Sequence, residues 1–207
     1  GADCAGVIAL CPFSAWSDRE YVRENWLEVE RLLIEAGYDT VILHSESDER
    51  VAGFRSRLIV GERPERVAGV LLNAAAVIGI DSGLTHLAGL LGRPTLALMA
   101  QTDGKRVFGC YPSIRTINGE MPCGGCYWKP SAGHSKAKCK PQCPNVNSIP
   151  PELVVAHVTE LAGELEHVRY LRELTAFAAA VPPYPGGDGD GVVTAGEGDY
   201  WPGVVIM

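Results

Sequence analysis

The stretch 76–99, AVIGIDSGLTHLAGLLGRPTLALM, constrains the fold more than any other part of the chain. It opens on a short apolar run, Ala76 to Ile80, bounded by turn residues, the pattern of a strand buried on both faces. Asp81-Ser82-Gly83 follows. Asp and Ser favour helix N-caps, so a helix is expected to begin here. Gly83 lets another group approach the backbone closely. Leu84, Leu87, Ala88 and Leu91 recur at helical spacing, and Gly92 stands where a glycine ends a helix. After Pro94, Thr95 to Met99 reads as a second buried strand. The unit is strand–turn–helix–strand, long enough for a right-handed parallel crossover.

In such a unit the loop after the first strand faces the ligand crevice. The free N–H groups at the helix start, together with the helix dipole, attract anions. Ser82 adds a hydroxyl donor, and Thr85 and His86 sit one turn in, near the same mouth. The pattern suits a phosphate or diphosphate held at Ser82–Thr85 with His86 as a neighbouring donor. It also suits a plain capped helix carrying a satisfied histidine.

The rest of the chain repeats the alternation. Val7 to Cys11 reads as a first strand, broken by Pro12-Phe13-Ser14-Ala15. In a parallel sheet that loop shares the carboxyl edge with Ser82, so Ser14 and Arg19 are candidate phosphate ligands, Arg through its planar fork. Trp26, Val29, Leu32 and Leu33 mark a buried helical stripe, closed by Ala36-Gly37. Tyr38 to Leu43 and Leu58 to Val60 read as strands. Val67, Val70, Leu71 and Ala74 mark a helix that begins at Pro64. His44-Ser45-Glu46-Ser47 follows at the carboxyl end of the second strand, a place for a ribose or base, and His44 itself is read as an ordinary strand-end residue. The loop after Met99 offers Thr102 and Lys105 as sugar or phosphate contacts, and Ile114 to Ile117 reads as a last strand. A helix from Pro151 runs through Val154, Val158, Leu161 and Leu165. The expected fold is a doubly wound, Rossmann-like α/β domain with a parallel sheet over residues 1–181. PPYPGGDGDG at 182–191 reads as a flexible linker, and the residues to 207 as the truncated start of a further domain.

A formal net charge of −7 argues against general nucleic-acid binding. No apolar run reaches membrane-spanning length. The first residues lack a basic leader and an initiator Met, so a processed or excerpted cytoplasmic chain is expected.

Residues 123–143 read CGGCYWKPSAGHSKAKCKPQC, a C-x2-C-x12-C-x3-C spacing. Two close cysteine pairs separated by a loop can close a tetrahedral thiolate site, and a metal finger over 121–145 is expected in preference to disulfides. Zinc and iron both fit. Lys129, Lys136, Lys138 and Lys140 would offset the charge of such a centre.

IDSGLTHLAGLLGRPTLAL resembles the D-[ST]-G-x-x-H-L-A-x-x-L-G-x-P-T signature of glycosyltransferase family 9, which holds bacterial lipopolysaccharide and autotransporter heptosyltransferases. There this segment belongs to the C-terminal half of a GT-B fold, which holds a nucleotide sugar. The resemblance implies that Asp81, Ser82, Gly83 and His86 lie at the donor diphosphate and sugar. The family's basic Lys-Arg-Trp-Pro-like segment is replaced here by SDREY, leaving Arg19 as the phosphate ligand. Ala100-Gln101-Thr102 stands for the family's Gly-Pro-Thr-type loop. The cysteine finger is similar to that of the autotransporter heptosyltransferases, in which it binds iron and supports assembly. By that likeness Cys123, Cys126, Cys139 and Cys143 are structural ligands of iron or zinc.

By the same resemblance the implied function is transfer of a sugar, a heptose, from an ADP-heptose-like donor to a saccharide or protein acceptor. The acceptor half and the catalytic base are expected from a missing N-terminal domain or a second copy. The alternative is a non-catalytic nucleotide-sugar-binding or assembly module.

Overall fold

The computed structural model describes residues 6–45, 49–128 and 142–180, with side chains of the C-terminal helix up to residue 165. Among the described residues six strands form in order: β1 (Ile8–Cys11), β2 (Thr40–His44), β3 (Arg57–Val60), β4 (Ala76–Ile80), β5 (Thr95–Met99) and β6 (Ile114–Asn118). Between and after them lie α1 (Arg23–Glu35), α2 (Pro64–Asn73), α3 (Gly83–Leu90), α4 (Gly104–Phe108), α5 (Pro144–Asn147) and α6 (Pro151–Ala180). The strands pair in the order β3-β2-β1-β4-β5-β6, every pair parallel. The chain divides into two compact units, residues 1–168 and 169–207, and the whole sheet lies in the first. The expected linker and further segment at 182–207 lie outside the described residues.

Alternation along the strands builds two cores. Ile8, Leu10, Ile42, Ile78, Ile80, Leu96 and Leu98 face Trp26, Val29 and Leu33 of α1 and Val154, Val158 and Leu161 of α6. Ala9, Cys11, Val41, Leu43, Ile59 and Val77 face Val70 and Leu71 of α2 and Ala88 of α3. Phe108 of α4 closes the β5 end over Ala97 and Met99. The result is three layers, helices on both faces of a parallel sheet. Trp26 is fully buried, and burial of each such side chain contributes roughly 1.5–3 kcal/mol.

Helix ends follow local chemistry. Gly92 has φ +66°, its N–H bonds the Gly89 carbonyl, and the Arg93 N–H bonds the Ala88 carbonyl. That pair of bonds closes α3 and needs a residue at ease in the left-handed region. After α1 the Tyr38 N–H is likewise taken by the Leu33 carbonyl, so β2 starts at Thr40 and not at the expected Tyr38. Two short helices were not expected. Of these, α4 had a readable signal, since the Asp103 side chain accepts the Arg106 N–H at its start.

Buried polar groups are tied into the frame. Glu30 of α1 is 2% exposed and accepts the backbone N–H groups of Arg55 and Ser56, which fixes the turn before β3. Thr85 is fully buried. Its hydroxyl donates to the Ile80 carbonyl at 2.6 Å and lies where a Cβ on Gly79 would come within 2.2 Å. The start of α3 therefore rests directly on β4, and only glycine permits that approach.

Gly79→Ala should cost about 1–3 kcal/mol through overpacking. In denaturant unfolding, Gly79→Ala/Thr85→Ala should lose less than the sum of the single losses, because the second change removes the clashing hydroxyl.

Candidate functional site

Strands β1 and β4 are neighbours, but their chains leave in opposite directions, towards β2 and β5. Between the loops at their carboxyl ends lies a cavity of about 690 Å³. The loop after β1 contributes Phe13, Ser14, Ala15, Trp16 and Arg19. The end of β2 and the turn beyond it contribute His44, Ser45 and Arg50. The β4–α3 turn contributes Asp81, Ser82 and Gly83, followed by Leu84, His86 and Leu87 of α3, with Glu62, Pro64 and Val67 from the approach to α2. Of the residues singled out in the sequence, Ser14, Arg19, Asp81, Ser82, Gly83 and His86 thus line one space. Thr85 and Thr102 do not, since both side chains point into the protein.

An ion pair bridges the cavity. Arg19 Nη1 lies 3.1 Å from Asp81 Oδ2, and it also donates to the Asp81 carbonyl at 3.4 Å. The Thr102 hydroxyl donates to the same Oδ2 at 2.9 Å. The Asp81 side chain is only 7% exposed, so the pair sits where charge is weakly screened and loss of one partner is costly. Arg19 Nε is buried without a partner, and the guanidinium lies 4.2 Å over the Trp16 ring. Nearby, Gln101 donates to Asp18 at 3.2 Å, which ties the β1 loop to the β5 loop.

At the start of α3, Ser82 occupies the N-cap in extended geometry, but its side chain makes no capping hydrogen bond. Its hydroxyl lies 3.3 Å from that of Thr85 instead. The expected side-chain cap is therefore absent at this helix start. His86 Nδ1 lies 3.4 Å from the Tyr111 hydroxyl, and its ring packs 4.7 Å from that of Phe108. Lys105 lies in α4 and does not line the cavity.

The sequence marked the β2 end as a place for a ribose or base, but not the cluster that His44 forms there. His44 packs its ring 4.4 Å from Phe13, and its Nε2 lies 3.2 Å from Arg50 Nη2. Arg50 Nη1 pairs with Glu20 Oε1 at 3.2 Å, and the same oxygen accepts the Ser14 N–H at 3.0 Å. No short motif announces this cluster, because its members come from three segments. Cys11 also ends at this edge, but burial pushes its thiol up to about 12, which leaves it a poor nucleophile.

Of the finger, Cys123, Cys126 and Cys143 are described; Cys139 lies outside the described residues. Among the described residues no group of three or more metal-ligating side chains is gathered. The finger's base is docked on β5. The Tyr127 N–H bonds the Gln101 carbonyl at 2.9 Å, and Asn145 Nδ2 donates to the carbonyls of Met99 and Ala100 at 3.3 and 3.0 Å. A Cβ on Gly124 would lie 3.6 Å from the Asn145 amide, so the turn after Cys123 packs on the segment after Cys143. Cys123 and Cys143 are both buried.

The sequence profile of glycosyltransferase family 9 (heptosyltransferase) matches residues 3–135. The chain belongs to this family. Its likeness to lipopolysaccharide heptosyltransferase 1 of Pseudomonas aeruginosa is 26% identity over 124 residues, 56% of this chain and 35% of the relative. In three dimensions this family 9 chain is similar to ADP-heptose lipopolysaccharide heptosyltransferase II of E. coli. The TM-score is 0.60 at 20% identity, covering 79% of this chain and 48% of that one. It is similar too to the dodecameric iron-containing heptosyltransferase TibC of enterotoxigenic E. coli in complex with ADP-D-β-D-heptose. There the TM-score is 0.60 at 19% identity, covering 77% and 46%. The family 9 chain thus spans about a third of the curated relative and about half of each of these structures. Among the described residues no helix is long and apolar enough to cross a membrane.

Thr102→Val should lower stability by about 1–3 kcal/mol, because the buried Asp81 carboxylate loses a hydrogen bond. Thr102→Ser should restore most of it, as read by denaturant unfolding.

Proposed function

We propose that this chain holds the donor of a sugar transfer, a nucleoside-diphosphate sugar of the ADP-heptose kind. One observation carries the reading: the Arg19–Asp81 pair stands beside the uncapped start of α3, inside the cavity where β1 and β4 part. Family membership supports it, and so does the ADP-heptose in the TibC complex. The diphosphate would lie at Ser82 and Gly83, taking the free N–H groups of α3 and the Arg19 guanidinium, with Ser14 and His86 as flanking donors. The nucleoside would extend towards Pro64, Val67, Leu84 and Leu87, the apolar wall of the same cavity.

In the transfer an acceptor hydroxyl attacks the anomeric carbon. The bond from that carbon to the diphosphate oxygen breaks, and the leaving group carries the electron pair away. The groups around Ser82 and Arg19 would stabilise that growing negative charge. Thr85 and Thr102 serve the site from behind, the first by seating α3 on β4 and the second by holding Asp81. The acceptor, a saccharide or a protein, and the base that deprotonates it would come from a further domain or a second copy. Both carboxylates on the described cavity wall are already engaged, Asp81 by Arg19 and Glu62 by Arg66. That observation also favours a second reading, a donor-binding or assembly module that does not itself catalyse.

The finger fits a structural metal. Cys123, Cys126, Cys139 and Cys143 would supply four thiolates to iron or zinc, and the Asn145 clasp brings the segments carrying Cys123 and Cys143 together. Such a closed site would brace the edge at β5 and serve assembly of copies. In this reading residues 1–181 form the donor domain, with the finger over 121–145 and a linker after it.

Calorimetric titration with ADP, UDP and GDP tests the donor site. ADP should bind, and Arg19→Gln and His86→Ala should each weaken it about tenfold. Binding of UDP or GDP alone would overturn the ADP assignment, and no nucleotide binding would overturn the donor reading. Elemental analysis of the purified chain should find about one iron or zinc per chain, lost in Cys126→Ser/Cys139→Ser.

A further inference from the structure

We infer that Trp16 is the platform on which the donor's sugar ring rests, and so determines which carbohydrate is held without determining which nucleotide is. The inference rests on the donor reading above and deepens it.

Trp16 is 47% exposed, whereas Trp26 on the adjoining helix is 1% exposed. An indole left this open to water forgoes a large hydrophobic gain unless something covers it. It is not a stray surface residue, since it forms part of the cavity wall that also holds Arg19, Ser82 and His86. Its backbone and its ring are each held by one contact. The Trp16 main-chain N–H donates to the Ser14 hydroxyl at 3.2 Å, and the Arg19 guanidinium lies 4.2 Å over the ring. Arg19 is in turn held by Asp81, and Asp81 by Thr102, so the ring's position is transmitted from the carboxyl ends of β4 and β5. An exposed aromatic fixed in this way has paid its ordering entropy before any ligand arrives.

Connectivity decides what meets it. Arg19 is the cation on the cavity wall beside the helix start, and a diphosphate bridging the two puts its outer phosphate at Arg19. The sugar's anomeric carbon is bonded to an oxygen of that phosphate, one atom further out. Two side chains of that wall touch Arg19, Asp81 through the ion pair and Trp16 through its ring, and of the two only Trp16 offers an apolar face. A pyranose has a face of C–H groups, weakly positive, which suits the negative face of an indole. In the donor reading above the nucleoside extends instead along Pro64, Val67 and Leu87, which come from α2 and from α3 and not from the loop that carries Trp16.

The test is titration of wild type, Trp16→Ala and Trp16→Phe with ADP and with ADP-heptose, each variant first checked for an unchanged melting temperature. Trp16→Ala should weaken ADP-heptose about fivefold more than it weakens ADP, and Trp16→Phe should recover most of that difference. Equal losses for the two ligands would overturn the inference and make Trp16 only a support for Arg19. No loss for either would overturn it as well. If wild type binds ADP but gains nothing from the heptose, the platform falls and the nucleotide site stands. If wild type binds neither ligand, the donor reading falls and takes the platform with it.

Discussion

The pairing of β1 with β4 is the constraint on which the rest depends. It sets Ile8 opposite Ala76 and Cys11 opposite Gly79, so the two strands end level with each other. Their chains then separate, one towards β2 and the other towards β5. Two loops far apart in sequence are left facing across a gap that no strand fills. Arg19 and Asp81 are 62 residues apart and meet only because of that register. A slip of one residue would turn the inward set Ile8, Leu10, Ile78, Ile80 to the wrong face, so the hydrophobic pattern that specifies the core also specifies the site.

Much of this architecture could be read from the chain, for a physical reason. Strands buried on both faces must be apolar throughout, and IALC, AVIGI and TLALM stand out between polar, glycine-bearing turns. The α3 unit was legible in the same way, because its ends are chemical: Asp81-Ser82 at the start and Gly92 at the close. The identity of the face that each threonine takes was not legible. Thr85 and Thr102 stand next to the expected anion site in sequence, but both turn inward to satisfy a buried carbonyl and a buried carboxylate. Burial of a small hydroxyl depends on what packs above it, and a linear pattern does not carry that information. The Glu20–Arg50–His44 cluster was hidden for the same reason, its members being contributed by three separate segments.

The carboxyl end of β5 shows how an appendage is joined to such a frame. Asn145 is fully buried and spends its amide N–H groups on the last carbonyls of β5, while its Oδ1 is left without a partner. Gly124 packs against that amide, and a Cβ on Gly119 would come within 1.8 Å of the Asn145 carbonyl oxygen. The cysteine-bearing segment therefore shares its footing with the loop that carries Thr102.

The Ser82 side chain turns towards Thr85 and leaves the first N–H groups of α3 without a side-chain cap. A protein that capped this helix for itself would make its own anion compete with every incoming one. By leaving the end open, the fold gives up a cap's worth of rigidity, about 1 kcal/mol, while empty. An anion bound there would complete the helix, so its binding would be linked to folding. At a hundredfold excess over its dissociation constant such a ligand would add about 2.7 kcal/mol to the domain's stability. If the proposed donor seats there, the resistance of this chain to unfolding would follow the supply of that donor.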